Sequence, residues 1–242
     1  MKLYNVITLA TIALAPSIGM PAHEAQSTVK QITWDFDNLK RIGGLPVTVD
    51  GHPKIISSPV GKAIEFDGTQ DSLFIESHPL AGAETFTWEA IFRPDGGAEA
   101  QRWFHLAERD RETGQFVKLI PADATQTQDS NPRLLFELRV VNGNQWYLDA
   151  FTSGRPLMFP DKLHAIGQWY HVAQVYDGTM YRSYVDRELQ GEAALAYKPQ
   201  GEGAASIGVR MNKVYYFHGA VAKARFTFKA LTPAEFMTLP KQ

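Results

Sequence analysis

The chain contains no cysteine, and this absence excludes several kinds of protein at once. Without disulfides, the stability of the fold has to come from a packed core. A lipoprotein anchor and a Cys–His nucleophile both need a cysteine, so both are excluded. The motif G-x-S-x-G and glycine-rich phosphate loops are also missing, so neither serine-hydrolase nor phosphate-cradling chemistry is supported.

A surplus of positive charge is missing as well. The chain has 24 lysines and arginines against 26 aspartates and glutamates, a formal net charge of -2, and no long run of like charge. A nucleic-acid-binding protein needs a basic face to neutralise phosphates. We therefore expect no nucleic acid partner.

Long apolar runs are rare, and the one that stands out lies near the N-terminus. "VITLATIALA", Val6 to Ala15, follows a lysine and is too short to span a bilayer, which needs about 20 apolar residues. This pattern predicts a signal peptide over residues 1–25, with a buried N-terminal helix as the alternative. The mature chain, residues 26–242, is then expected to be a secreted or periplasmic domain without a membrane span.

What the sequence does contain is alternation with a period of two residues. "ITWDFDN", "FTWEAIFRP" and "RLLFELRVVNG" each place apolar side chains at every second position, which is typical of strands with one buried face. Asp-Gly and Asn-Gly pairs separate the runs, as tight turns require. One short helix is predicted at "LTPAEFM", where Thr232, Pro233 and Glu235 form a capping box. The polar stretch Pro121 to Pro132 is interpreted as a long loop within the domain.

Several segments together resemble a known family. They are "GKAIEFDGTQDSLFIE", "FTWEAIFRP", "WYHVAQVYDGTMYRSYVDRELQGE" and "SIGVRMNKVYYFHGAVAKARFTFKALTPAEFM". In order and spacing they are similar to laminin-G-like domains of the concanavalin A-like lectin/glucanase superfamily, over roughly residues 30 to 238. The resemblance implies an all-β, two-sheet antiparallel jelly-roll sandwich with one concave sheet and a short C-terminal helix. It implies little about chemistry, because one fold hosts many functions.

The strand "WYHVAQVY" has apolar residues in both phases, so its faces have to be assigned. We expect Trp169, Ala173 and Val175 to face the core, with His171 in phase with them as a partly buried, locally bonded histidine. The concave face is then expected to carry the other phase of the strand: Tyr170, Val172, Gln174 and Tyr176.

Two enzyme-like motifs are present in incomplete form. "ERDRE", Glu108 to Glu112, matches the E-x-D-x-E pattern of the superfamily's glucanases, but charges in both phases predict an exposed hairpin end. "LFELR" and "YYFHGAV" are similar to two strands of its alginate lyases. Leu135 stands where that family has an arginine, His218 where it has a lysine, and the Q-I-H strand is missing.

Calcium is a possible cofactor that the resemblance implies, since loop oxygens bind it in this superfamily. No cofactor is certain. Ala222 replaces the aspartate usual in the family's closing strand, and the alternative is that the acids only serve turns. The candidate ligands are Asp35, Asp37, Asp67 and Asp71.

A mixed polar set forms the predicted binding site. When the alternation in each strand is continued along its length, nine side chains are expected on one concave face: Glu89, Arg93, His105, Glu137, Arg139, Gln174, Tyr176, Arg182 and Tyr184. Aromatic faces stack on sugar rings, and planar amides, guanidiniums and carboxylates bind hydroxyls. The alternative is a solvated sheet face with cross-strand ion pairs.

These residues predict a noncatalytic protein that binds a polysaccharide or glycan, and three arginines favour an anionic one. The alternatives are a polysaccharide lyase or glycoside hydrolase using the same face, or a protein-adhesion module using edge loops. A cluster of acids deep in the cleft would favour the enzyme.

Overall fold

The computed structural model describes residues 28–117, 134–152 and 155–240. The predicted signal peptide and the predicted loop from Pro121 to Pro132 lie outside these ranges. Within them the chain forms two antiparallel eight-stranded sheets and a small hairpin of β2 (Arg41–Ile42) and β3 (Leu45–Pro46). The predicted all-β sandwich is thus confirmed.

The first sheet, called sheet 1, has the order β16-β15-β14-β8-β18-β6-β5, and β1 pairs with the second half of β18. Its strands are β1 (Gln31–Asp35), β5 (Lys54–Ser58), β6 (Gly61–Asp67), β8 (Phe86–Pro94), β14 (Tyr170–Tyr176), β15 (Met180–Val185), β16 (Glu188–Ala194) and β18 (His218–Thr227).

The second sheet, called sheet 2, has the order β12-β11-β10-β9-β17-β7-β4, and β13 pairs with β11. Its strands are β4 (Thr48–Asp50), β7 (Ser72–Ile75), β9 (Ala100–Glu108), β10 (Leu134–Val141), β11 (Gln145–Thr152), β12 (Arg155–Met158), β13 (His164–Ala165) and β17 (Gly203–Ile207).

The core lies between the two sheets and is rich in aromatic rings. Trp88 of sheet 1 and Phe136 of sheet 2 meet with ring centroids 4.4 Å apart, and Phe92 stacks on Trp103 at the same distance. Such pairs add about 1 kcal/mol each beyond the burial of their area. The alternation in "FTWEAIFRP" and "RLLFELRVV" therefore identified the core-facing positions of β8 and β10 correctly.

The assignment of faces in β14 was wrong. Tyr170, Val172 and Tyr176 lie in the core between the sheets, whereas Ala173 and Val175 lie on the outer face of sheet 1. Trp169 and His171 share that outer face and are buried there as well. A second apolar layer covers it, so both phases of the strand are buried and the apolar pattern cannot distinguish them.

This second layer is the C-terminal segment, residues 229–239. The predicted helix in it is a single 3-10 turn, Pro233–Glu235, in which the Glu235 carboxylate accepts hydrogen bonds from the backbone and hydroxyl of Thr232. The turn ends at Phe236, which has an extended backbone and packs its ring against His171 and Tyr184. The 3-10 turn therefore ends where the Phe236 ring packs on sheet 1.

Candidate functional site

The nine predicted site residues do not share one face. On the outer face of sheet 1 lie Glu89, Arg93, Arg182 and Tyr184. In the core between the sheets lie Gln174 and Tyr176. On the outer face of sheet 2 lie His105, Glu137 and Arg139. The predicted constellation is therefore three separate groups.

Glu89 is completely buried beneath the C-terminal segment. Its carboxylate accepts hydrogen bonds from His171 Nε2 at 3.0 Å, from Arg225 Nε at 2.5 Å and from the backbone of Met237 at 2.6 Å. Burial acts to raise the pKa of Glu89, but these donors outweigh it and lower the pKa below its usual value. Glu89 holds the C-terminal segment in place and is not available to a ligand.

The other polar residues on sheet 1 are engaged in the same way. Arg93 binds Asp95 and Glu65 at 2.6 and 3.0 Å, and Tyr184 packs edge-on against Phe236. Arg182 is paired with two surface acids, Asp177 at 2.6 Å and Glu192 at 2.7 Å.

Gln174 and Tyr176 serve the interior. The Gln174 amide donates to the carbonyl of Leu135 at 3.0 Å and accepts from the Tyr181 hydroxyl. The Tyr176 hydroxyl donates to the carbonyl of Leu195 at 3.0 Å. The prediction that Gln174 and Tyr176 face a cleft is wrong, because a polar side chain satisfied within a core looks the same in sequence as one that faces solvent.

The outer face of sheet 2 concentrates charge. Arg102 Nε donates to Glu137 at 2.6 Å, and Arg139 Nε donates to Asp149 at 2.9 Å. Glu137 and Asp149 are directly opposite one another on β10 and β11. We call Arg102, Glu137, Arg139 and Asp149 the arginine–carboxylate cluster.

The two carboxylates of the cluster are almost completely removed from water, with Glu137 2% and Asp149 0% exposed. Burial, together with the charge of Asp149, outweighs the opposing effect of Arg102 and raises the pKa of Glu137 to about 7. Burial also raises the pKa of Asp149. Asp149 Oδ1 and Arg102 Nη1 are buried without a hydrogen-bond partner, so the cluster is not saturated.

A loop, residues 209–216, lies across this face. Its Met211 backbone donates to His105 Nδ1 at 3.1 Å, and the Arg102 guanidinium lies 3.7 Å from the centre of the Tyr215 ring. Tyr215 has a positive φ of 62° and is 47% exposed. A bulky residue rarely adopts that backbone conformation, and such strain is concentrated at functional sites.

Arg210 from the same loop is half-buried and makes no ion pair among the residues that the structure describes. Burial and the neighbouring Arg102 lower its pKa. Tyr147 on β11 is opposite Arg139 and completes the surface. This surface therefore combines guanidiniums, carboxyl groups and aromatic rings.

Sequence reasoning placed His105, Glu137 and Arg139 on this face but missed five members: Arg102, Tyr147, Asp149, Arg210 and Tyr215. Extending the alternation into "QWYLDAF" would have found Tyr147 and Asp149. Arg102 could not be found that way, because a β-bulge at Trp103 puts positions 102 and 105 on the same face.

The candidate calcium ligands are engaged in local structure. Asp67 accepts three backbone hydrogen bonds from the turn that follows it, which outweigh burial and hold its pKa well below the usual range. Asp71 accepts from the backbones of His52 and Asp67, Asp35 pairs with Lys223, and Asp37 accepts from Asn38. The described part of the chain contains no cluster of three or more acids and histidines able to hold a metal ion.

The motif "ERDRE" ends β9 as predicted, at an exposed hairpin. Asp110 accepts hydrogen bonds from the backbones of Glu112 and Thr113, and Arg109 pairs with Glu76 at 2.9 Å. Of its three acids, Asp110 borders a surface pocket beside Arg109 and His78, whereas Glu108 and Glu112 do not line that pocket.

The two-sheet sandwich matches a family model described as the concanavalin A-like lectin/glucanases superfamily, over residues 67–236. The chain belongs to this superfamily, as its resemblance to laminin-G-like domains had implied. No curated protein sequence matches it.

Solved structures share the fold at low sequence identity. Domain 4 of AbnA, a GH43 extracellular arabinanase from Geobacillus stearothermophilus, was solved in complex with arabinotriose. It is 17% identical with a TM-score of 0.60, over 88% of this chain and 99% of that one. The binding domain of Paraclostridial Mosquitocidal Protein 1 is 8% identical with a TM-score of 0.56, over 85% of this chain and 50% of that one.

A third match is Trypanosoma rangeli sialidase in complex with 2,3-difluorosialic acid. It is 12% identical with a TM-score of 0.56, over 84% of this chain but 31% of that one. At these identities the comparisons establish the fold alone. Within the described ranges, no helix has the length and apolar character needed to cross a membrane.

Proposed function

We propose that the protein is a noncatalytic carbohydrate-binding protein of the secreted or periplasmic compartment, and that the outer face of sheet 2 binds the ligand. The observation that carries the proposal is Tyr215, an exposed ring held in a strained conformation against Arg102. A sugar ring can stack on the open side of Tyr215, while the guanidiniums nearby bind its hydroxyls. Fold neighbours that were solved with arabinotriose and with a sialic acid derivative support this proposal.

The charges on this face favour an acidic glycan. Three guanidiniums, from Arg102, Arg139 and Arg210, stand against the two carboxyl groups of Glu137 and Asp149. Burial disfavours ionisation of both acids, so the positive charge exceeds the negative charge at neutral pH. A planar guanidinium binds a ligand carboxylate through two parallel hydrogen bonds.

Affinity electrophoresis in native gels tests the proposal. The mature chain, from about residue 26, is run through gels containing neutral polysaccharides or polygalacturonate, alginate and dextran sulfate. We expect retardation by an acidic polymer, and we expect Arg139→Ala to abolish it.

Arg182→Ala is the matched control for Arg139→Ala. Arg182 is ion-paired and 28% exposed, as against 25% for Arg139, but it lies on sheet 1. If both variants lose retardation equally, the site is not on sheet 2. If no polymer retards the wild-type protein, the proposed function is wrong.

Tyr215→Asn separates the role of the ring from the strain of the backbone. Asparagine tolerates positive φ, so we expect the free energy of unfolding to rise by about 1 kcal/mol. Loss of the stacking surface should weaken binding of the retarding polymer about tenfold. Chemical denaturation and gel retardation measure the two effects, and Tyr215→Phe should retain binding. Unchanged affinity in Tyr215→Asn would exclude a stacking role.

A polysaccharide-degrading enzyme is the second candidate function. The observation in its favour is Glu137, whose pKa of about 7 beside another carboxylate suits a general acid. Against it, both carboxylates are ion-paired and almost fully buried, so neither reaches a sugar in this structure. Clearing of the embedded polymer in the same gels, abolished by Glu137→Gln, would establish the enzyme instead.

A further inference from the structure

The Glu137–Asp149 pair has a geometry that couples the charge of the binding face to pH. The two side chains are cross-strand neighbours, and each is held by one arginine Nε. Two carboxylates that are held side by side on neighbouring strands and shielded from water repel each other when both are ionised. The unpartnered Asp149 Oδ1 leaves an acceptor on which a proton can reside.

We propose that the Glu137–Asp149 pair takes up one proton when the face binds an acidic glycan, so that acidification strengthens binding. This inference rests on the proposed function, since it requires a ligand on the same face. Formally, the cluster and Arg210 carry three positive and two negative charges before proton uptake, and three and one afterwards. The net positive charge that faces the glycan therefore doubles.

Among the residues that the structure describes, the groups packed around the pair are mainly arginines and tyrosines, with one histidine. The flanking strands contribute Arg102 from β9, Arg139 from β10 and Tyr147 from β11, and the loop contributes Arg210 and Tyr215. Arginines stay protonated at all relevant pH values, and burial raises the pKa of the Tyr147 phenol further above neutrality. His105 also lies on this face, and its Nδ1 accepts a hydrogen bond from the Met211 backbone.

The direction of the effect follows from linkage. Burial raises the pKa of Glu137 to about 7, so the free pair changes charge within the neutral range. A bound uronate or sulfate is already ionised there and favours the protonated form of the pair. A change of one pKa unit on binding corresponds to about a tenfold change in affinity.

The experiment measures affinity for polygalacturonate and dextran sulfate from pH 5.5 to pH 8. We expect about tenfold tighter binding at pH 5.5 in the wild-type protein. Glu137→Gln should bind with little pH dependence, close to the affinity that the wild-type protein reaches at low pH. Glu76→Gln, an exposed and ion-paired control just after the end of β7, should keep the wild-type pH dependence.

Calorimetry of the wild-type protein gives a second readout that needs no variant. Titration at pH 7 in two buffers of different ionisation enthalpy should show net proton uptake on binding. Binding without proton uptake, or a full pH dependence in Glu137→Gln, would overturn this inference while leaving the proposed function intact. His105→Gln tests the other nearby titratable side chain. If this variant loses the pH dependence, the proton is taken up by His105 instead. Failure of every polymer to bind at any pH would overturn the proposed function itself.

Discussion

Replacing Glu89 with alanine should lower the free energy of unfolding by about 3–5 kcal/mol, the usual cost of removing one partner from a buried ion pair. The Arg225 guanidinium would keep only its bond to the Glu235 carbonyl, while the buried His171 imidazole and the Met237 backbone would each lose the Glu89 carboxylate as acceptor. For a domain of this size the melting temperature should fall by about 10 °C. Chemical and thermal denaturation followed by tryptophan fluorescence measure both quantities.

Asp35→Ala is the control for this substitution. Asp35 also forms an ion pair on sheet 1, 2.7 Å from Lys223, but both side chains are exposed. An exposed pair contributes about 1 kcal/mol or less, so this variant should unfold almost as the wild-type protein does. A Glu89→Ala protein as stable as Asp35→Ala would show that Glu89 does not hold the C-terminal segment on sheet 1.

Glu89 also shows where prediction from the sequence reaches its limit. The alternation correctly predicted that Glu89 faces away from the core, since its neighbours Trp88 and Ala90 on β8 face the core. The segment that covers it is more than 130 residues away in the chain, and its contacts are not encoded in the local pattern. The same long-range covering explains why β14 is apolar in both phases.

The strands themselves were predictable because burial of one face imposes a period of two. The turns were predictable where asparagine, aspartate and glycine accept positive φ, as Asn142 and Gly143 do. The sequence did not predict the hairpin turn at Asp186 and Arg187. Both residues have positive φ there, but neither is a glycine. There the Asp186 carboxylate accepts from the His171 backbone, and Arg187 donates to the carbonyl of Phe236, so tertiary contacts stabilise a turn without glycine.

The candidate site on sheet 2 was predictable only in part. Regular alternation brings Glu137 and Arg139 to the outer face, and the same logic applies to Asp149 across the hairpin. Arg102 depends on the β-bulge at Trp103, and Tyr215 depends on the path of a loop. Bulges and loop paths follow from packing against distant strands, which a periodic pattern does not report.

Two buried titratable groups should make the stability of this protein depend on pH in opposite directions. Glu137 has a folded pKa of about 7, above the 4.5 of an unfolded glutamate. Its contribution to stability is therefore complete below about pH 4.5 and is lost as the pH rises through 7. The difference amounts to about 3 kcal/mol.

His78 acts in the other direction. Its ring is buried, its Nδ1 accepts from the backbone of Leu80, and its Nε2 contacts the Gln200 amide oxygen. Burial lowers its pKa to about 4 from 6.5, because the cation is excluded from water. Its contribution is complete above about pH 6.5 and is lost as the pH falls through 4, again by about 3 kcal/mol.

Since the two effects nearly cancel between pH 4.5 and 6.5, single substitutions should reveal them. Glu137→Gln should leave a protein whose stability increases with pH across this range, and His78→Gln one whose stability decreases. Urea denaturation midpoints at pH 4.5, 5.5, 6.5 and 7.5 measure the slopes. Parallel curves for the two variants would mean that neither group titrates as its burial requires. Opposite slopes would show that Glu137 on the outer face of sheet 2 retains a proton at the expense of stability near neutral pH, as the proposed function predicts, because a site arranged for a ligand sacrifices stability.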